Sequence, residues 1–325
     1  NHGYEIPDAA RERMEAYLAE PAGVEHVERV ARTKLAAAGA DPDSWDSMDE
    51  RTRHTFLAAF FAGGHDVIVG RRHFTDDAVD TSALAASGTL SVAEHRAYMH
   101  LAIHAMQSLY EANRWVRYVA VFQNWLRPAG ASFDHLHKQL VGIDERGVTS
   151  QLELQKVRVN PNLYNEMAVD YAAYQGLLVA SNEHAVAFAG FGHRYPTLEV
   201  YSTSAMPEPW LMSREEVDAV SDLVHALHAA TGADVPSNEE WHHKPIDVDQ
   251  PMPWHITLKW RVSTLAGFEG GTKIYLNTID PWTLHDRVVG RLEDLRADRL
   301  IAPMSVGEEC PTTPNRLMYN PVLWR

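Results

Sequence analysis

Two stretches of the chain carry an apolar stripe of helical period behind the same start signal. Tyr98, Ala102, Ala105 and Leu109 follow Ser91-Val92-Ala93-Glu94, and Val217, Val220, Val224 and Leu227 follow Ser213-Arg214-Glu215-Glu216. A serine with a glutamate three residues later satisfies two of the amides that a helix start leaves orphaned. Each tetrapeptide therefore predicts an N-terminus, and each stripe a helix with one face on a core. Gly232 is placed to stop the second helix. Strand-like runs at residues 65–69 and 197–201 precede the helices, and a segment bearing a histidine comes after each; residues 254–260, Trp-His-Ile-Thr-Leu-Lys-Trp, alternate as a strand does. The first sixty or so residues differ. Their Ala, Glu and Arg at helical spacing, broken at Pro21 and at Ala40-Asp41-Pro42-Asp43-Ser44, predict short helices.

The order strand, helix, histidine-bearing strand thus occurs twice. His137 lies 46 residues after Ser91, and His255 lies 42 after Ser213. Duplication of one α+β unit is the simplest account. The expected organisation is a helical appendage over residues 1–60, a first half over 61–150, and a second half with a C-terminal tail over 151–325. By size alone 325 residues would support about two domains, but a duplicated core sharing one sheet system can exceed that prior as a single unit.

Candidate chemistry concentrates in residues 122–139, Phe-Gln-Asn-Trp-Leu-Arg-Pro-Ala-Gly-Ala-Ser-Phe-Asp-His-Leu-His-Lys-Gln. In an extended strand His135, His137 and Gln139 share one face, while Leu136 and Lys138 take the other. Gly130 lets the backbone approach a ligand, and Ser132 with the exposed amides of such a turn can donate hydrogen bonds to phosphoryl oxygens. A phosphate held there lies near His137. A neutral imidazole is a competent nucleophile toward phosphorus once its other nitrogen donates to a fixed acceptor. An isolated His-x-His would more often be an ordinary pair of strand histidines; the match at many further positions reverses those odds.

Phe122-x-Asn124, Ala129-Gly130-Ala131-Ser132 and His135-x-His137-x-Gln139 together resemble the motif of the galactose-1-phosphate uridylyltransferase branch of the histidine-triad (HIT) superfamily. Residues 64–69 followed by Arg72-His73, and Ala266-Gly267-Phe268-Glu269 with Gly271-Thr272 and Tyr275-Leu276-Asn277, resemble further segments of that family, so the likeness runs from about residue 60 to 295. It implies an α+β fold of duplicated HIT-like antiparallel sheet units with flanking helices. It also implies that His137 takes a nucleoside monophosphate as a covalent intermediate, that Gln139 hydrogen-bonds the phosphoryl oxygens, and that Asn124, Gly130 and Ser132 bind phosphates. Glu269, Lys273, Tyr275 and Asn277 of the second copy become acceptor-recognition candidates. Hydrolases of the superfamily carry a third histidine where Gln139 stands, so transfer to a sugar phosphate or to inorganic phosphate is favoured. The substrates implied are a nucleotide sugar and a sugar phosphate, and the assembly implied is a homodimer. Two positions depart from the motif without removing a chemical group: Leu126 replaces a frequent Gly, and Leu136 a frequent Pro.

Family members commonly hold a structural zinc with a Cys-x-x-Cys pair and two histidines that map here to His73 and His135. This chain has no such pair, and its single cysteine, Cys310, would leave the tetrahedral set incomplete. Either the zinc site is lost or its cysteines precede Asn1, where the sequence starts without Met. Of a second family metal site, His242 and His255 fit but Pro253 replaces a histidine; there His242, His243 and His255 are expected to line a polar cleft or to satisfy local hydrogen bonds rather than to ligate.

With 44 acidic against 29 basic side chains the formal net charge is −15, which argues against nucleic acid or an anionic membrane as partner. Arg71, Arg72, Arg127 and Lys138 could meet phosphate, although each reads first as a solvated surface charge. No run of about eighteen apolar residues appears, no secretory signal is visible, and a lone cysteine suits a cytoplasmic setting. The sequence therefore predicts a nucleotidyltransferase working through a nucleotidyl-histidine. Its rivals are a phosphorylase of sugar nucleotides or dinucleoside polyphosphates, and a non-catalytic nucleotide-binding module.

Overall fold

A computed structural model describes residues 8–61, 64–76, 78–80 and 83–324. Nine strands, β1 (His65–Val69), β2 (Tyr118–Trp125), β3 (His137–Ile143), β4 (Leu178–Ser181), β5 (Ala185–Ala189), β6 (Thr197–Ser202), β7 (Ser237–His242), β8 (His255–Trp260) and β9 (Ser305–Val306), form one sheet. Their order is β1-β3-β2-β7-β8-β6-β5-β4-β9, and every neighbouring pair is antiparallel.

The predicted duplication is visible in this order. Reading outward from the central pair β2–β7, one side runs β2-β3-β1 and the other β7-β8-β6. Each side is built in the same chain order, with a long helix after its first strand: α5 (Val92–Ala112) after β1, and α8 (Arg214–Thr231) after β6. The register repeats as well. His137 at the start of β3 faces Val69 of β1, and His255 at the start of β8 faces Tyr201 of β6.

Both predicted capping boxes form. Glu94 accepts the Ser91 amide at 2.8 Å while the Ser91 hydroxyl accepts the Glu94 amide at 3.3 Å, and Ser213 with Glu216 repeats this at 2.8 and 3.2 Å. The stripes behave as expected: Tyr98, Ala102 and Leu109 are buried on α5, and Val217, Val220, Val224 and Leu227 on α8, which ends at Gly232. The two helices pack together over one face of the sheet along a polar seam. In it Arg96 forks onto Asp222 at 2.8 and 2.7 Å, and His95 meets the Ser221 hydroxyl at 2.8 Å.

The N-terminal helices α1 (Asp8–Leu18), α2 (Pro21–Ala37), α3 (Ser44–Ser47) and α4 (Glu50–Phe61) are present as expected, and Met14 with Leu18, Leu57 and Phe61 forms a small cluster apart from the main core. Helices α6 (Val148–Val159), α7 (Asp170–Tyr174), α9 (Gly267–Thr272) and α10 (Pro281–Ala297) complete the fold. No described helix is long and apolar enough to cross a membrane.

Two local expectations are corrected. β3 begins at His137, leaving His135 outside the strand. Lys138 is not a solvated surface charge: it is 1% exposed, because strand alternation turns it away from His137 into the face covered by α5 and α8. Its ammonium pairs there with buried Glu239, above the rings of Tyr98 and Trp241. Glu239 also receives His228 Nε2 at 2.8 Å and Trp241 Nε1 at 2.6 Å, which offsets the cost of burying its charge.

Candidate active site

The sheet face away from α5 and α8 presents Phe122 and Asn124 from β2, His137 and Gln139 from β3, and Glu240 and His242 from β7. Register brings them together, since Phe122 faces Gln139 on one side and Glu240 on the other, and Asn124 faces Asn238. At the end of β2 the chain turns sharply. Leu126 has φ 65° and ψ 155°, a region that suits glycine, which gives a physical reason for Gly to be frequent there. One 3-10 turn, Arg127–Ala129, follows, and Gly130 at φ 91° closes it with its amide on the Arg127 carbonyl at 2.9 Å. A Cβ placed on Gly130 would find the Asn124 amide nitrogen at 3.9 Å, so that donor faces the turn. Ser132 follows on the exposed exit of the turn.

His137 is 3% exposed, and its Nδ1 lies 2.8 Å from the His135 carbonyl. A carbonyl only accepts, so Nδ1 carries the proton and Nε2 the lone pair. This is a fixed acceptor of the kind a nucleophilic imidazole needs, and the sequence could not reveal it. The Phe133 ring stacks over the imidazole, with centroids 4.2 Å apart and planes at 26°. A cavity of about 460 Å³ opens over β2 and β7, its walls including Phe122, Asn124, Asn238, Glu240, His242 and Arg261; His137, Gln139, Gly130 and Ser132 are not among its lining residues. Of the cations singled out in the sequence, Arg72 is held between Asp76 at 2.6 Å and Glu94 at 2.9 Å, and Lys138 is buried behind the sheet. The guanidinium at the cavity belongs to Arg261, which sequence reasoning missed because it stands just past the end of β8, outside any motif.

The two histidines mapped to a zinc site do meet, with His73 Nδ1 and His135 Nδ1 2.9 Å apart and His135 Nε2 on the Gly70 carbonyl at 2.7 Å. Among the described residues no third His, Cys, Asp or Glu joins them in a metal-sized group. Cys310 is buried against the Ser305 carbonyl, on the β9 edge of the sheet opposite to β1. The pair therefore does not make a closed zinc site by itself.

The other histidine pair fares better. Glu153 of α6, His242 and His255 bring one ligand atom each within 4.8 Å of one another. Burial pushes both His242 and His255 down to about 3, so they are neutral and ligand-ready at pH 7, while the Glu153 carboxyl is pushed up by burial. His255 Nδ1 lies 3.1 Å from the Pro253 carbonyl, and Glu153 accepts from the Tyr164 hydroxyl at 3.0 Å; such outer partners orient ligands. His242 lines the cavity as expected, and the two nitrogens with the carboxylate could in addition hold a divalent cation with open positions. Glu153 gave no signal in the sequence because it arrives from a separate helix.

Glu269, Lys273 and Asn277 do not line the cavity beside Asn124. Glu269 accepts the Ala266 amide at 3.1 Å, the Lys273 ammonium donates to the Gly270 carbonyl at 2.7 Å, and the Asn277 amide donates to the His193 carbonyl at 3.0 Å. Lys273, Tyr275 and Asn277 line a second cavity of about 460 Å³, next to His193, which is held by Glu199 at 2.7 Å.

Comparison with solved structures gives the class. The chain superposes on a uridylyltransferase with a TM-score of 0.59 at 18% identity, covering 71% of this chain and 77% of the other. It superposes equally, at 0.59 and 17% identity, on an ADP-glucose phosphorylase from Arabidopsis thaliana with bound ADP-glucose, covering 70% and 73%. In sequence it is 25% identical to ADP-glucose phosphorylase of Arabidopsis thaliana over 175 residues, so it spans about half the length of the curated relative it matches, with 51% of this chain and 50% of that protein aligned. The fold is that of the galactose-1-phosphate uridylyltransferase-like branch of the histidine-triad superfamily. Within that class, the chain belongs to the family described as Domain of unknown function (DUF4921), whose profile matches residues 1–319.

Proposed function

We propose that this protein is a nucleotidyltransferase that passes a nucleoside monophosphate between phosphorylated sugars through a nucleotidyl-histidine at His137. The observation that carries this reading is the His137 Nδ1 bond to the His135 carbonyl, which leaves Nε2 as a nucleophile beside Asn124 and the Gly130 turn. In the first step the Nε2 lone pair forms a bond to the α-phosphorus of a nucleotide sugar, and the bond from phosphorus to the bridging oxygen breaks, so the sugar phosphate leaves with that electron pair. The imidazole then carries a positive charge, which the His135 carbonyl stabilises through the retained Nδ1 proton. In the second step an acceptor phosphate oxygen attacks phosphorus and the P–N bond breaks, returning His137 to its neutral form. The acceptor is already anionic, so no general base is needed. Amide donors on Gln139 and Asn124, the turn amides and Ser132 would stabilise the phosphoryl oxygens as charge develops.

A second reading replaces the sugar phosphate acceptor with orthophosphate; the sequence match to an ADP-glucose phosphorylase favours it, and the chemistry at His137 is unchanged. A divalent cation on Glu153, His242 and His255 would supply a fixed charge and a tie between α6, β7 and β8 beside the cavity.

The test is intact mass after incubation with a panel of nucleotide sugars and an acid-free quench, with His137→Ala in parallel. A gain of one nucleoside monophosphate, absent in the variant, is the expected result. Nucleotide binding without any adduct on the wild-type protein would replace this reading with that of a binding module.

A further inference from the structure

We propose that Arg261 is the phosphate-binding cation of this site, gripping the leaving group's phosphate in the first step and the acceptor's phosphate in the second. This rests on the nucleotidyltransferase reading above and adds a residue to it. Arg261 lines the cavity with Asn124, Ala129 and Asn238. Its Nη1 donates to the Asn238 side-chain oxygen at 2.7 Å, and its guanidinium carbon sits 4.5 Å from the centre of the Tyr195 ring. Both partners are neutral, so the cationic fork is held in place with its charge unspent. Its Nε is buried and makes no hydrogen bond, and the hydroxyl of Ser150, which lines the same cavity, is in the same condition. Two desolvated donors without acceptors, around one concave space, match a ligand made of acceptor oxygens. The carboxylate on the same wall, Glu240, is paired with the Lys259 ammonium and so does not fill that role.

Arg261 also sets the direction of the motif's asparagine. Asn238 must present its oxygen to Arg261, and its amide nitrogen then donates to Asn124 Oδ1 at 2.7 Å and to the Ala129 carbonyl at 2.8 Å. Asn124 is left with its own amide nitrogen toward the Gly130 turn, where a phosphoryl oxygen would sit. Because Asn124 faces Asn238 on β7 while His137 stands on β3, Arg261 lies on the far side of Asn124 from the nucleophile. That is the place for the phosphate beyond the α-phosphorus.

Inorganic pyrophosphate, titrated calorimetrically into the full chain, is the probe. Arg261→Gln is expected to weaken its binding about 10- to 100-fold, as removal of a charge-assisted contact does, with the unfolding midpoint of the free protein retained. Arg261→Lys, which keeps the charge without the fork, is expected to fall between wild type and Arg261→Gln. Should Arg261→Gln fail to fold, the Arg261→Lys loss relative to wild type decides. Wild type that does not bind millimolar pyrophosphate, unchanged binding in either variant, or equal loss in both would overturn the proposal. Failure of the nucleotidyl-histidine reading shows separately, as a missing adduct on His137 in a protein whose pyrophosphate binding still depends on Arg261.

Discussion

His137 and His255 make the same bond in the two copies of the fold: each points Nδ1 at the backbone carbonyl two residues earlier, His135 at 2.8 Å and Pro253 at 3.1 Å. Each is the first residue of its strand. Duplication has therefore kept an imidazole with a fixed tautomer and an available Nε2, and the copies differ in what surrounds it. Around His137 stand the Gly130 turn, Asn124 and Phe133. Around His255 stand Tyr201, stacked at 4.4 Å, His242, stacked at 4.8 Å, and the carboxylate of Glu153. One environment suits attack on phosphorus and the other suits a cation.

The second environment predicts metal stoichiometry. Protein dialysed against a divalent first-row metal and then freed of excess should retain one equivalent per chain, measured by atomic emission. Glu153→Gln and His242→Asn should each retain far less. Because the folded state alone assembles these three groups, metal at about a hundred times its dissociation constant should add about 2.7 kcal/mol to unfolding stability, read as a raised midpoint. Equal metal content in wild type and both variants would show that the trio is not a site.

The buried pair behind His137 predicts a coupled energy. Lys138→Met would leave Glu239, which is not solvent-exposed, without its ammonium, and breaking such a pair from one side costs about 3–5 kcal/mol. Adding Glu239→Gln to that variant should restore part of the loss, because the stranded charge is gone: the amide oxygen can still accept from Trp241 Nε1, and the amide nitrogen can donate to His228 Nε2 in its other tautomer. Urea unfolding of the two single variants and the double variant closes the cycle. A double variant as unstable as the sum of the singles would mean that the two side chains act independently.

What could be read in advance followed from local rules. Capping boxes at Ser91 and Ser213 depend on three-residue spacing, and the open and covered faces of β3 depend on strand alternation, so helix starts and the opposition of His137 to Lys138 were legible. The groups that complete the site depend on register between distant segments. Asn238 meets Asn124 because β7 pairs with β2; Glu153 reaches His255 because α6 lies on the open face; Arg261 arrives past the end of β8. No periodicity encodes those meetings. Lys138 shows the same limit: its direction was clear, but its burial depends on α8 and on Glu239, a hundred residues away in the chain.

Leu126 offers a test of backbone strain at the Gly130 turn. A non-glycine residue held at φ 65° and ψ 155° costs about 1–3 kcal/mol. Leu126→Gly releases that strain, at a loss of about 1 kcal/mol for a half-buried side chain and of about 0.5–1 kcal/mol in backbone entropy. The terms oppose and nearly cancel, so urea unfolding should place this variant within about 1 kcal/mol of wild type. Leu126→Val keeps a similar apolar surface but adds a branched Cβ, the side chain least tolerated at positive φ, and should be clearly less stable than the glycine variant. If Leu126→Gly proved the less stable of the two, the turn would be held by the packing of Leu126 against the core, and strain would not be what distinguishes this chain's turn from a glycine-bearing one.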